Sequence, residues 1–193
     1  MKKLFPVFLL AAVLFNFNIA YSQISLTVNG GIEIPTGNFS NLVKNGYGLS
    51  ASIGYSVPII PVEICVSAGY DNWPYKIQYS LSNSGLHEFG NGVNMYSIPV
   101  TIGPKLFINI PGVGFEPYIG IEAGVVSSSS TLVGATSTTD FIYSPEIGFR
   151  YNLPLGLIAI DVNVKESNFT DTSGGQTQTY SWFGINAGIA ISL

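Results

Sequence analysis

Residues 24–34 read Ile-Ser-Leu-Thr-Val-Asn-Gly-Gly-Ile-Glu-Ile, and their parity sorts them. Ile24, Leu26, Val28, Ile32 and Ile34 share one parity; Ser25, Thr27, Asn29, Gly31 and Glu33 share the other. Successive side chains of a strand point to opposite faces, so an extended chain here has one greasy side and one polar side. A soluble antiparallel sheet can do this once. This chain does it eight times, with carboxylates and glycines on the polar side.

Turn signals cut the chain into eight alternating segments, the per-segment signature of a transmembrane barrel. They are Ile24 to Ile34, Gly46 to Val57, Val62 to Tyr70 with Leu81 as its furthest limit, Val93 to Ile108, Phe115 to Val126, Phe141 to Tyr151, Leu157 to Lys165 and Thr179 to Leu193. Connections are long after the odd segments and short after the even ones. That alternation predicts an up-and-down barrel with its N-terminus and tight turns in the periplasm and four long loops outside. Tyr47, Tyr96 and Tyr143 fall toward the outer ends, and Tyr55, Phe115, Phe149 and Tyr151 toward the periplasmic ends, where two interfacial girdles belong.

The charges follow the same sorting. Glu33, Glu63, Asp71, Lys105, Glu116, Glu122, Glu146, Arg150, Asp161 and Lys165 all take the face opposite the Ile and Val residues. An outward Arg or Lys at mid-bilayer costs about 2–4 kcal/mol, so a membrane barrel must send its charges into the lumen. Lys44, Lys76, Glu88, Asp140, Glu166 and Asp171 are read as loop charges. The fold class expected is therefore all-β, a closed antiparallel up-and-down eight-stranded transmembrane β-barrel. Four prolines oppose this, because proline cannot donate to a ladder and a closed barrel has no free edge. Pro104, Pro117 and Pro145 lie near segment ends, whereas Pro99 calls for a bulge.

Composition narrows the class. Only 9% of residues are charged and 47% are hydrophobic, yet beyond the N-terminal run no stretch is long enough for a transmembrane helix, which needs about 20 apolar residues. A barrel reconciles the two. Residues 1–22 read as a cleaved export signal, with Lys2 and Lys3, an apolar run from Leu4 to Phe15, and small residues at Ala20 and Ser22; residues 23–193 are the barrel domain. Of seven basic residues two lie in the signal, leaving five against eleven acidic ones, a balance that argues against nucleic acid as a partner. Cys65 stands alone, so no internal disulfide, CxxC or zinc constellation exists.

The phrases PTGNFS (35–40), YSIPVTIGPKLF (96–107) and FEPYIGIEAGV (115–125), with the signal and eight dyad-repeat segments, resemble the OmpA/OmpX-like outer membrane protein beta-barrel family across the whole mature chain. The resemblance implies a Gram-negative outer-membrane location and insertion by the barrel-assembly machinery, here from a chain ending in Leu193 where such chains often end in Phe. No periplasmic peptidoglycan-binding domain is expected to follow this small barrel, so the family's tethering role is not carried over.

An eight-stranded barrel is just wide enough for side chains to fill it. Glu63, Lys105, Glu116 and Arg150 come from neighbouring strands near the short turns and are expected to form an alternating ladder. Glu122, Glu146 and Asp161 are expected at similar heights, as an acidic cluster sharing a proton or a cation. Cys65 reads as a small buried filler. His87, the sole histidine, lies with Ser84 and Glu88 in a long loop, a poor platform for a nucleophile, base and orienting acid. The expectation is a non-enzymatic barrel without cofactor or metal, seated in outer-membrane lipid and meeting an extracellular ligand or protein through its loops. The rivals are a narrow porin-like channel, a soluble lipocalin-like binding barrel and a barrel lipid hydrolase. A lipocalin would carry its apolar face inside, the inverse of this partition.

Overall fold

The computed structural model describes residues 23–193 apart from 77, 83, 84, 90, 91, 109, 111, 113, 132–136, 155, 156, 174 and 175; the export signal and Ser84 lie outside the described residues. In chain order the elements are β1 Ile24–Thr36, the short helix α1 Phe39–Leu42, β2 Gly46–Ser56, β3 Val62–Pro74, β4 Gln78–Ser82, β5 Gly85–Phe89, β6 Asn94–Phe107, β7 Phe115–Ser130, β8 Thr138–Asn152, β9 Ile158–Ser173 and β10 Gln176–Ser192. Eight of the strands close an antiparallel barrel in the order β1-β2-β3-β6-β7-β8-β9-β10, with β10 pairing back onto β1; β4 and β5 form a separate hairpin in the second long connection.

The faces fall as the alternation requires. Val28, Ile53, Val66, Ile102, Ile121, Ile147 and Ile185 are exposed, while Thr27, Glu63, Thr101, Glu122, Ser144 and Asp161 are buried. Soluble monomers rarely expose a contiguous apolar patch beyond a few hundred Å². Here exposed Ile, Val, Leu and aromatic side chains come from every barrel strand, so the belt faces lipid and the chain is an integral membrane β-barrel.

The last four barrel strands are longer than expected. Ser127 to Thr139 and Glu166 to Gln178, read as loops, instead carry β7 to Ser130, start β8 at Thr138, carry β9 to Ser173 and start β10 at Gln176. Pairing of β9 with β10 runs without a break from Ile158↔Ile191 to Ser173↔Gln176. Polarity there marks where the strand leaves the membrane, and threonine, being β-branched, suits a strand well. Asp140, Glu166 and Asp171 are therefore strand residues. Glu166 takes outward parity opposite Phe183, at the level of the outer girdle, where a carboxylate costs little.

Pro99 makes no bulge. Ala68↔Val100 and Asp71↔Ser97 keep one register, and only the Gly69/Pro99 and Tyr70/Ile98 pairs drop out. Pro104 and Pro145 likewise interrupt one ladder, between Ile102↔Ala123 and Lys105↔Gly120 and between Tyr143↔Asn168 and Glu146↔Lys165. Each strand of a closed barrel has two neighbours, so the opposite ladder holds the proline in place: Pro99 still pairs with Val126.

Candidate functional site

The lumen concentrates the charge, and the strands place it in tiers. Near the short turns, Arg150 on β8 reaches across to β3, where its Nη1 and Nη2 donate to Glu63 Oε2 and Oε1 at 3.0 and 3.2 Å. Its Nε stands 3.6 Å from Asp161 Oδ2, and its guanidinium lies 4.7 Å above the Phe107 ring. Asp161 also accepts from Tyr118 Oη at 3.1 Å and from Asn163 Nδ2 at 3.3 Å. Cys65 is buried beside this tier, its thiol donating to Glu63 Oε1 at 3.2 Å.

The middle tier holds two ammonium–carboxylate pairs, Lys105 Nζ to Glu146 Oε1 and Lys165 Nζ to Glu122 Oε2, each 3.0 Å long. Glu122 is wholly buried, and it also accepts from Ser67 Oγ and Thr101 Oγ1, both at 2.8 Å. Two lone-pair sites on each oxygen explain how one carboxylate serves three donors.

These contacts correct two expectations. Glu63 stands beside Lys105 and Glu116 beside Arg150 in the register, as a neighbour ladder requires, but the ion pairs run elsewhere. Long side chains in so narrow a barrel reach past their neighbours: Arg150 on β8 meets Glu63 three strands away on β3, Lys105–Glu146 and Lys165–Glu122 each skip one strand, and Arg150–Asp161 alone joins register neighbours. Glu116 sits half-buried at the mouth and joins none of the four ion pairs among the described residues. Nor do Glu122, Glu146 and Asp161 form a bare acidic cluster, since Lys165, Lys105 and Arg150 each stand against one of them.

Above them Glu33 and Asp71 converge over Gly48. A Cβ at Gly48 would overlap a carboxylate oxygen of each, so glycine is required by close approach. Asp71 accepts from Ser97 Oγ at 3.0 Å. Both acids line a cavity of about 50 Å³ shared with Ser67, Ser144, Lys165 and Asn186, room for roughly three or four waters.

An apolar plug roofs this chamber. Phe39 of α1 drops into the outer end of the barrel and packs edge-on against Trp73 at 5.2 Å and Tyr180 at 5.4 Å, while Trp73 meets Trp182 at 5.1 Å. Val43, Val126, Ile142 and Phe169 complete the buried cluster. Lys76 ties the loop down, its backbone N–H donating to Leu42 O at 2.9 Å and its Nζ to Ser40 O. Burial raises the Tyr180 phenol above its usual range, and Asp171, Tyr75 and Asp140 add to the effect. The plug was missed in the sequence, although Trp73, Ile142, Phe169 and Trp182 break the polar-inward rule and all do so at outer strand ends. His87 and Glu88 fall on β5 of the outer hairpin.

No protein-family model matches the sequence, and no curated protein does. Solved structures do match. Neisserial surface protein A superposes with a TM-score of 0.64 at 14% identity, over 89% of this chain and 98% of that one. Ail, the attachment invasion locus protein of Yersinia pestis, reaches 0.46 at 15% identity, over 88% and 99% of the two chains. The N-terminal β-barrel domain of Pseudomonas aeruginosa OprF reaches 0.46 at 13% identity, over 86% and 97%. At such identities the likeness is one of fold, and the first of the three carries it.

Proposed function

We propose that this chain is a closed membrane anchor that presents its outer rim to the cell's surroundings, without catalysis and without conduction. The observation that carries the reading is the doubly obstructed lumen. Side chains from β3, β6, β7, β8 and β9 meet in ion pairs across its lower half, and the Phe39–Trp73–Trp182 plug fills its outer end. A porin-like path would need both to open. What is left free to act is the rim, where β7 to β10 rise beyond the girdle and the long connections are rich in Ser, Thr, Asn and Gly. That composition suits adaptable polar contacts with an extracellular ligand or protein. The barrel-assembly machinery is the partner proposed for insertion, and bilayer lipid the permanent one.

Planar-bilayer recording on the refolded protein tests the reading. The trace is expected to stay at baseline. Discrete, repeatable conductance steps would overturn the anchor in favour of the narrow channel.

A further inference from the structure

The three short turns are apolar and uncharged. Residues 58–61 (Pro-Ile-Ile-Pro), 108–114 (Ile-Asn-Ile-Pro-Gly-Val-Gly) and 152–157 (Asn-Leu-Pro-Leu-Gly-Leu) contain no Asp, Glu, Lys or Arg, whereas the opposite end of the barrel carries Lys44, Lys76, Glu88, Asp140, Glu166 and Asp171. Among the described residues most of these aliphatic side chains are displayed. Ile59 is 103% exposed, and Ile60, Ile108, Ile110 and Leu157 are exposed with it. Ile59 also has φ = 78°, a left-handed conformation that β-branched residues rarely adopt. A turn tip in water would favour Gly, Asn or Asp at such a position. This chain keeps isoleucine there.

The distribution of these tips indicates what covers them. The β2–β3, β6–β7 and β8–β9 turns, with exposed Leu193 beside the start of β1, occupy the four successive corners of the short end. Apolar tips therefore ring the whole circumference. The axis between them carries charge: Glu63, Glu116 and Arg150, alongside Ile60 and Phe107, line a mouth cavity of about 170 Å³. A protein cap would cover axis and rim together and would have to match those charges. A bilayer covers the rim alone. The ring is also continuous with the lipid-facing belt through Tyr151 and Ile158 on one wall and Ile64 and Leu106 on another, all exposed.

We propose that the short turns are immersed in the periplasmic leaflet, as an apolar collar at the boundary of headgroups and acyl chains, so that the barrel ends inside the lipid on that side. Ile59 lies four residues past Tyr55 of the girdle, at most about 10 Å beyond it given the rise and tilt of such strands. The headgroup layer adds about 5–7 Å to each side of the hydrocarbon core, so tips within that distance of the girdle still lie in the interface.

The test uses full-length protein carrying Cys65→Ser, with a nitroxide attached at Ile59→Cys, Ile110→Cys, Ile121→Cys or Lys44→Cys, refolded into phosphatidylethanolamine and phosphatidylglycerol vesicles. Power saturation against oxygen and against a water-soluble nickel chelate reports the depth of each label. Labels at 59 and 110 are expected to favour oxygen, ranking between 121 at mid-belt and 44 at the outer rim. Nickel accessibility at 59 and 110 equal to that at 44 would overturn the collar while leaving the barrel intact. Wet labels in vesicles that become protected in native outer membranes would overturn it in favour of a protein cover. A wet label at 121 would overturn the membrane assignment itself, and the collar with it.

Discussion

Arg150 serves Glu63 with two hydrogen bonds and Asp161 with a third, longer contact, all in a buried tier. Removing one member of a buried ion pair strands a charge, which costs about 3–5 kcal/mol, whereas replacing the whole set by neutral groups is often close to neutral. Arg150→Met is therefore expected to destabilise the refolded barrel by about that much in a urea titration in vesicles. Adding Glu63→Gln and Asp161→Asn should recover most of the loss. A single variant as stable as the parent, or a triple variant worse than the single, would contradict the tier. The inward direction of these charges was legible in the sequence because parity fixes which way a side chain points. Their partners were not, because parity and register say nothing of how far Arg150 or Lys105 reaches across the axis.

Strand pairing at the scale of whole elements was legible to within a few residues where the strand crosses lipid, since there an apolar face must alternate with a polar one. It was not legible above the membrane, where both faces of β9 and β10 are largely polar and the alternation fades while the hydrogen bonds continue. Helix α1 escaped notice for a related reason: four residues show no helical period, and its importance lies in Phe39 alone. Phe39 is wholly buried among aromatic rings, and Phe→Ala in such a site costs about 3–5 kcal/mol. Because the loop is a local unit, the loss should release it without melting the barrel. Native protein is expected to resist trypsin after Lys44, and Phe39→Ala to be cut there while the remaining barrel keeps its folded gel mobility. Equal resistance of the two would show that the plug does not hold the loop.

The whole molecule inverts a soluble protein: its polar core is the lumen, packed with ion pairs and hydroxyls, and its apolar surface is the outside. Eight strands closed on themselves satisfy every ladder but those at the prolines, which is what a chain surrounded by hydrocarbon requires. That inversion was already present in residues 24–34, where Glu33 shares a face with Ser25 and Thr27 and none with Ile32. Fractionation of cells making the full-length chain, followed by gels run with and without heating, tests it most directly. The protein is expected in the outer-membrane fraction, extracted only by detergent, with an unheated band that migrates apart from the heated one because barrels of this kind resist detergent unfolding. Recovery as a folded, detergent-free soluble protein would contradict the account.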